Sequence, residues 1–193
     1  VSNGEIHEFV ADLERQEGAP LPDARLVYKT YGTLNADRSN AILFPTRFGG
    51  THEQNEFMIG PGHALDPERY FVVVPNMFGN GVSSSPTNAP APHGGGGFPD
   101  ITIYDNVRHQ HRLVADVLGI ERFAMAVGWS MGAQQAFQWA SLYSDMVPRL
   151  ACICGTAKTT DHNRVFLESL RAAIEADGRY KDGHYDDPPL GGL

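Results

Sequence analysis

The stretch Gly128-Trp129-Ser130-Met131-Gly132 constrains this chain more than any other. An apolar run, Arg122 to Val127, precedes it, and Ala133 to Ala140, which reads as a helix, follows. A G-x-S-x-G pattern between strand and helix puts the serine on a sharp, strained turn, its hydroxyl lifted toward substrate. A side chain at 128 or 132 would collide with backbone where strand and helix pass closely. The helix aims its free N–H groups at the same spot, which favours negative charge such as a tetrahedral oxyanion. In a chain with 21 glycines the five-residue pattern alone could be an ordinary turn, so the flanks carry the argument. Ser130 is therefore the candidate nucleophile.

The rest of the chain agrees with a strand and helix on either side of that turn. Residues 6–14 and 24–31 alternate apolar and polar positions around turn chemistry at 18–23, the pattern of an antiparallel pair. Ala41 to Phe44 is short and apolar, and Tyr70 to Val74 is the continuous β-branched run of a strand buried on both faces. Residues 76–100, rich in Gly, Pro, Ser and Asn, read as a loop too long for an idle connection. Val107, Leu113, Val114, Val117 and Leu118 form a helical stripe over 105–118, closed by Gly119. Residues 149–154 read as a strand, 163–176 as a last helix and 177–193 as a Gly/Pro/Asp-rich tail. The expected fold is α/β, a mostly parallel doubly wound sheet with antiparallel N-terminal strands, in one domain over 1–193.

Charge narrows the function classes. A formal net charge of −8 with no basic cluster argues against nucleic acid or an anionic membrane surface as the main partner. A phosphorylated cofactor in a local pocket stays compatible with it. No apolar run has the length of a membrane span, and Val1 to His7 lacks a signal-peptide pattern. Cys152 and Cys154 lie two apart on one apolar strand, too extended for a mutual disulfide. They read as two buried reduced thiols, consistent with a cytoplasmic protein. No metal is expected, because no second Cys/His pair stands at suitable spacing.

Other residues read more plainly. His109 and His111 face different ways on a helix and are expected at its surface rather than on a metal. Gly94 to Gly97 lacks the Lys-Ser/Thr and helix start of a phosphate loop and reads as flexible loop. Asp105 is expected to cap its helix. Arg47 either binds a substrate carboxylate or phosphate or is a surface loop arginine. The side chains of Trp129 and Met131 are expected to pack.

Residues 128–140 resemble the elbow of the α/β-hydrolase superfamily and, more narrowly, of the homoserine O-acetyltransferase family, in Ser-Met-Gly, Gln135 and Trp139-Ala140. Tyr28 to Asn35, Ile59 to Asp66, Tyr70 to Val73, Pro75-Asn76 and Phe98 to Asp105 are similar to further landmarks of that family, so the resemblance runs from about residue 5 to the end. It implies that an acyl group passes from a donor, acetyl-CoA in the acetyltransferases, to Ser130 and then to a hydroxyl acceptor, or to water in hydrolase relatives. No tightly bound cofactor is implied. The Met131 N–H would form half of the oxyanion hole and a residue after the strand at 41–44, Phe48 by position, the other half. One departure concerns the pocket wall: Thr46-Arg47-Phe48-Gly49-Gly50 stands where the homoserine enzymes have His-Ala-Leu-Thr-Gly. Homodimerisation is a family expectation.

A serine also needs a general base and an orienting carboxylate, which in this superfamily follow it at the ends of later strands. His162 begins a helix and His184 lies in a polar tail, and neither ends a strand. The resemblance therefore places the acid, the histidine, further strands and a helical lid beyond residue 193, with about 160–193 as the start of the lid region. A strand at 149–154, apolar on both faces, would then be an exposed edge. The first reading is a serine acyltransferase that passes its acyl group to a hydroxyl acceptor; an ester hydrolase and a non-catalytic binding module on the same fold are the alternatives.

Overall fold

The computed structural model describes residues 4–192. They sort into two compact units, one holding the residues up to 84 together with 100–157, the other 85–99 and those from 158 on.

The first unit is built on a six-stranded sheet: β1 (Glu5–Leu13), β2 (Leu21–Tyr31), β3 (Ala41–Leu43), β4 (Phe71–Pro75), β5 (Met125–Trp129) and β6 (Leu150–Ile153). The strand order is β1-β2-β4-β3-β5-β6. β1, β2 and β4 pair antiparallel, while β4, β3, β5 and β6 run parallel. This is the mostly parallel sheet with an antiparallel start that the alternation of patterns predicts. β2 begins three residues before the expected position 24, because Leu21 is buried and pairs with buried Leu13 across a bulge. Val72, Val73 and Val74 are all fully buried, as a strand covered on both faces requires. Ile42, Phe44, Val72, Val74, Val127 and Tyr31 pack into one core cluster with Ile59 and Leu65.

Two helices of this unit set the site. α1 (Ile103–Arg112) starts two residues earlier than the stripe implies. Its N-cap is Thr102, whose hydroxyl accepts the Asp105 N–H at 3.1 Å while Asp105 Oδ2 accepts the Thr102 N–H at 2.9 Å. Asp105 is thus the N3 partner of a capping box and not the cap. After Arg112 the helix widens into a π-helical turn, Leu113–Val117, that keeps Leu113 and Val114 buried. α2 (Met131–Leu142) starts directly after Ser130 and packs on β5 and β6. A 3₁₀ segment, His52–Met58, had no periodic signal in the sequence and was not expected.

Two expectations about side chains are corrected. His109 is not on the surface: it is 1% exposed, its ring 5.0 Å from that of Phe9 and 5.2 Å from that of Phe78. α1 is covered over a wider arc than its apolar stripe, so Asn106, His109 and Gln110 are enclosed with Val107. His111 is half-buried, stacked on Tyr143 at 3.9 Å. Nor are the cysteines both buried: Cys152 is half-buried and Cys154 exposed, because β6 has a neighbour only on its β5 side among the described residues.

In the second unit, α3 (Asp161–Glu175) is N-capped by the Thr160 hydroxyl, which accepts the Asn163 N–H at 3.2 Å. Beyond it the Asp177 carboxylate receives the Arg179 guanidinium at 2.7 Å and the Gly191 N–H at 2.6 Å. Both bonds hold that carboxyl well below the usual range. Among the described residues no helix is long and apolar enough to cross a membrane.

Candidate active site

Ser130 follows β5 directly and is the N-cap of α2. Its φ of 53° and ψ of −120° lie where an L residue is strained. The backbone is held there from both sides. The Ser130 N–H donates to Ile153 O on β6 at 2.8 Å, and its carbonyl accepts the Ala133 N–H at 3.0 Å. The two glycines allow the close passage: a Cβ on Gly128 would lie 2.4 Å from Ala133 Cα, and one on Gly132 would lie 2.6 Å from Pro45 O. The second contact shows that the elbow packs against the turn after β3. Ser130 is half-buried, and its hydroxyl has no hydrogen-bond partner among the described residues.

The turn after β3 carries Thr46, Arg47 and Phe48. Asn55, on the 3₁₀ segment, donates from Nδ2 to Phe44 O at 2.9 Å and Pro45 O at 3.3 Å. Thr46 is fully buried; its N–H donates to Pro75 O at 3.2 Å and its hydroxyl accepts the Met77 N–H at 3.0 Å. Arg47 O accepts the Gly50 N–H at 3.1 Å, closing the turn. The Arg47 guanidinium folds back onto Phe48 O at 3.1 Å. Phe48 is 63% exposed. Neither the Phe48 N–H nor the Met131 N–H meets an acceptor among the described residues.

Phe48 and Met131 line one cavity of about 430 Å³, together with Met77, Phe78, Ile101 and Ile103. Met131 is half-buried and borders this cavity. Trp129 packs edge-on against Phe57 with ring centroids 5.6 Å apart, and Phe57 is 56% exposed. A larger hollow, about 670 Å³, is lined by Arg38, Arg122 and Arg149. It lies at the starts of β3, β5 and β6, the sheet end opposite Ser130, whereas open α/β sheets hold ligands at the carboxyl ends of their strands. Among the described residues no group of three or more His, Cys, Asp or Glu could hold a metal ion.

Sequence reasoning missed a chain of buried amides behind the turn. Trp139 Nε1 donates to Gln110 Oε1 at 2.9 Å, Gln110 Nε2 to Gln135 Oε1 at 2.8 Å, and Gln135 Nε2 to Thr46 O at 2.9 Å. The available signal was Gln135 itself, a polar residue four before Trp139 and therefore on an otherwise apolar face of the helix.

A model of the alpha/beta hydrolase fold family matches residues 40–173. Ethyl acetate hydrolase of Pseudomonas veronii is 44% identical over 177 residues, covering 91% of this chain and 51% of that protein. Homoserine O-succinyltransferase of Acidithiobacillus ferrooxidans is 38% identical, covering 92% of this chain and 50% of that protein. The crystal structure of an acetylester hydrolase from Corynebacterium glutamicum superposes with a TM-score of 0.92 at 42% identity, over 98% of this chain and 55% of that one. The chain thus spans about half the length of the curated relatives it matches.

Proposed function

This chain belongs to the alpha/beta hydrolase fold family, and from that premise we propose that the protein carrying it is a serine enzyme that moves a small acyl group through an acyl-Ser130 intermediate, with water as final acceptor. The observation that carries the reading is the strained Ser130 backbone at the end of β5, together with the N–H groups of Met131 and Phe48, which border one cavity and meet no acceptor among the described residues. Strain of this kind costs about 1–3 kcal/mol and is kept where it serves a site.

The chemistry follows. Ser130 Oγ attacks the carbonyl carbon of an ester while its proton passes to a base. The carbonyl oxygen becomes an oxyanion between the Met131 and Phe48 N–H groups, at the N-terminus of α2. Each such donor is worth about 10²–10³-fold in rate. Collapse breaks the ester C–O bond and the alcohol leaves with a proton. Water then attacks the acyl-serine, releasing the acid and restoring the hydroxyl. In this proposal the histidine base and its carboxylate come from sequence beyond residue 193, in keeping with the half-length match to the relatives. Arg47 steadies the turn through Phe48 O.

Water as acceptor is favoured by the esterase and hydrolase names among the relatives at 44% and 42% identity. A second reading, transfer to a bound hydroxyl with acetyl-CoA as donor, is favoured by the homoserine acyltransferase at 38%. Against it stands Thr46-Arg47-Phe48 at the pocket wall.

Intact mass of the full gene product tests both, after brief exposure to p-nitrophenyl acetate or to acetyl-CoA, with Ser130→Ala as control. An acetyl adduct on Ser130 from the ester alone supports the hydrolase. An adduct from acetyl-CoA replaces it with the transferase. No adduct from either overturns the acyl-enzyme reading and leaves a binding module.

A further inference from the structure

We propose that Gln135 is the positioning residue for the turn after β3: its side chain sets the direction of the Phe48 N–H, and thereby the oxyanion-stabilising half of the site that α2 does not itself supply. The proposal rests on the acyl-enzyme reading above and adds a residue that touches no substrate.

The argument starts with peptide planarity. A backbone N–H points opposite to the carbonyl of the same peptide unit. The Arg47 carbonyl is held inside the turn by the Gly50 N–H at 3.1 Å, so the Phe48 N–H is turned outward. That turn is only as well placed as the residue that leads into it. Thr46 is fastened at its N–H to Pro75 O, at its hydroxyl to the Met77 N–H and at its carbonyl to Gln135 Nε2. The first two bonds tie the turn to β4 and the segment after it; the third ties it to α2, the helix that begins at Ser130. Gln135 therefore sets the spacing between the two N–H donors.

An amide side chain can present either end, so something must orient Gln135. The indole N–H of Trp139 can only donate. It takes Gln110 Oε1, which leaves Gln110 Nε2 for Gln135 Oε1, which leaves Gln135 Nε2 for Thr46 O. Reversing any amide would set donor against donor or acceptor against acceptor. Trp139, Gln110, Gln135 and Thr46 are all fully buried, so bulk water cannot replace a lost partner.

The test measures kcat and KM for p-nitrophenyl acetate in the full gene product, wild type beside Gln135→Met and Gln135→Glu, from pH 5 to 9. Gln135→Met keeps the volume and removes the donor. It should lower kcat by about 10²-fold with KM within about threefold, the signature of an interaction felt in the transition state. Gln135→Glu separates positioning from packing. A protonated carboxyl reproduces the native pattern, its carbonyl accepting from Gln110 and its O–H donating to Thr46 O. An ionised one sets lone pairs against Thr46 O. Burial raises the pKa of the introduced carboxyl, and Gln110, Thr46 O and Met77 Sδ, which Gln135 contacts, carry no ionisable group. The rate relative to wild type should therefore be near one at acid pH and fall as pH rises, whereas the Gln135→Met ratio stays flat. Gln135→Met with wild-type kcat overturns the proposal, as does a Gln135→Glu ratio that does not change with pH. A wild type that forms no acyl-enzyme overturns the functional reading as well, and shows it without any variant.

Discussion

Gly128 on β5 and Ala133 on α2 pass so closely that a Cβ on the glycine would lie 2.4 Å from the alanine Cα. The obstacle is backbone on an element that also carries the Ser130 turn, so it cannot yield as a flexible side chain would. Gly128→Ala should destabilise the protein by about 3 kcal/mol, at the upper end of overpacking costs. Urea unfolding checks this through a lowered midpoint at unchanged slope. A midpoint equal to wild type would show that strand and helix are not held together here.

Ser130 should limit stability as well as serve the site. At φ 53° and ψ −120° a glycine is unstrained where serine is not. Ser130→Gly is expected to raise stability by about 1 kcal/mol while abolishing the acetyl adduct. Ser130→Ala, which keeps a Cβ, should stay within about 0.5 kcal/mol of wild type. The pair of unfolding midpoints checks it, and a glycine variant less stable than the alanine variant would contradict the strain.

His109 should make the fold acid-sensitive. Burial, with the Arg112 charge adding, pushes its pKa down to about 4 from an ordinary 6.5, and both ring nitrogens lack partners among the described residues. The sign is clear. Below pH 6.5 the unfolded chain takes up a proton that the folded protein refuses until about pH 4. Stability is therefore full above 6.5 and falls as pH drops toward 4, by at most about 3 kcal/mol. His52 and His111, also lowered by burial, act in the same direction. Unfolding midpoints from pH 7.5 to 4 should decline in wild type and decline less in His109→Phe; identical slopes would remove His109 as the cause.

The two thiols should differ. Cys154 is exposed, whereas Cys152 is half-buried, bonds to Ala133 O at 3.8 Å and has its pKa raised by burial. Since the thiolate is the reactive form, a short pulse of iodoacetamide on the native protein should modify Cys154 well before Cys152. Peptide mapping reads the order, and equal labelling would mean that β6 opens in solution.

These residues divide by the kind of interaction that governs them. The elbow was legible because its requirements are local: two glycines, a serine, an apolar run before and a helical stretch after specify strand, turn and helix within one continuous segment, residues 122–140. Val72 to Val74 declared a doubly covered strand for the same reason. Strand order, with β4 between β2 and β3, was not legible, because pairing joins segments dozens of residues apart whose patterns fit several partners equally. Burial of polar side chains was also hidden: hydrophobic periodicity marks apolar residues, so His109 read as surface, and nothing marked Gln110 or Gln135 as buried until the packing of α1 and α2 enclosed them. The sequence by itself determined the fold class and the place of Ser130, since short-range sterics and periodicity decide both. Only the tertiary structure decided that Gln135, oriented through Gln110 by Trp139, holds the Thr46 carbonyl. That chain joins α1, α2 and the turn after β3, and hydrogen bonds between distant segments exist only once the core has closed around them.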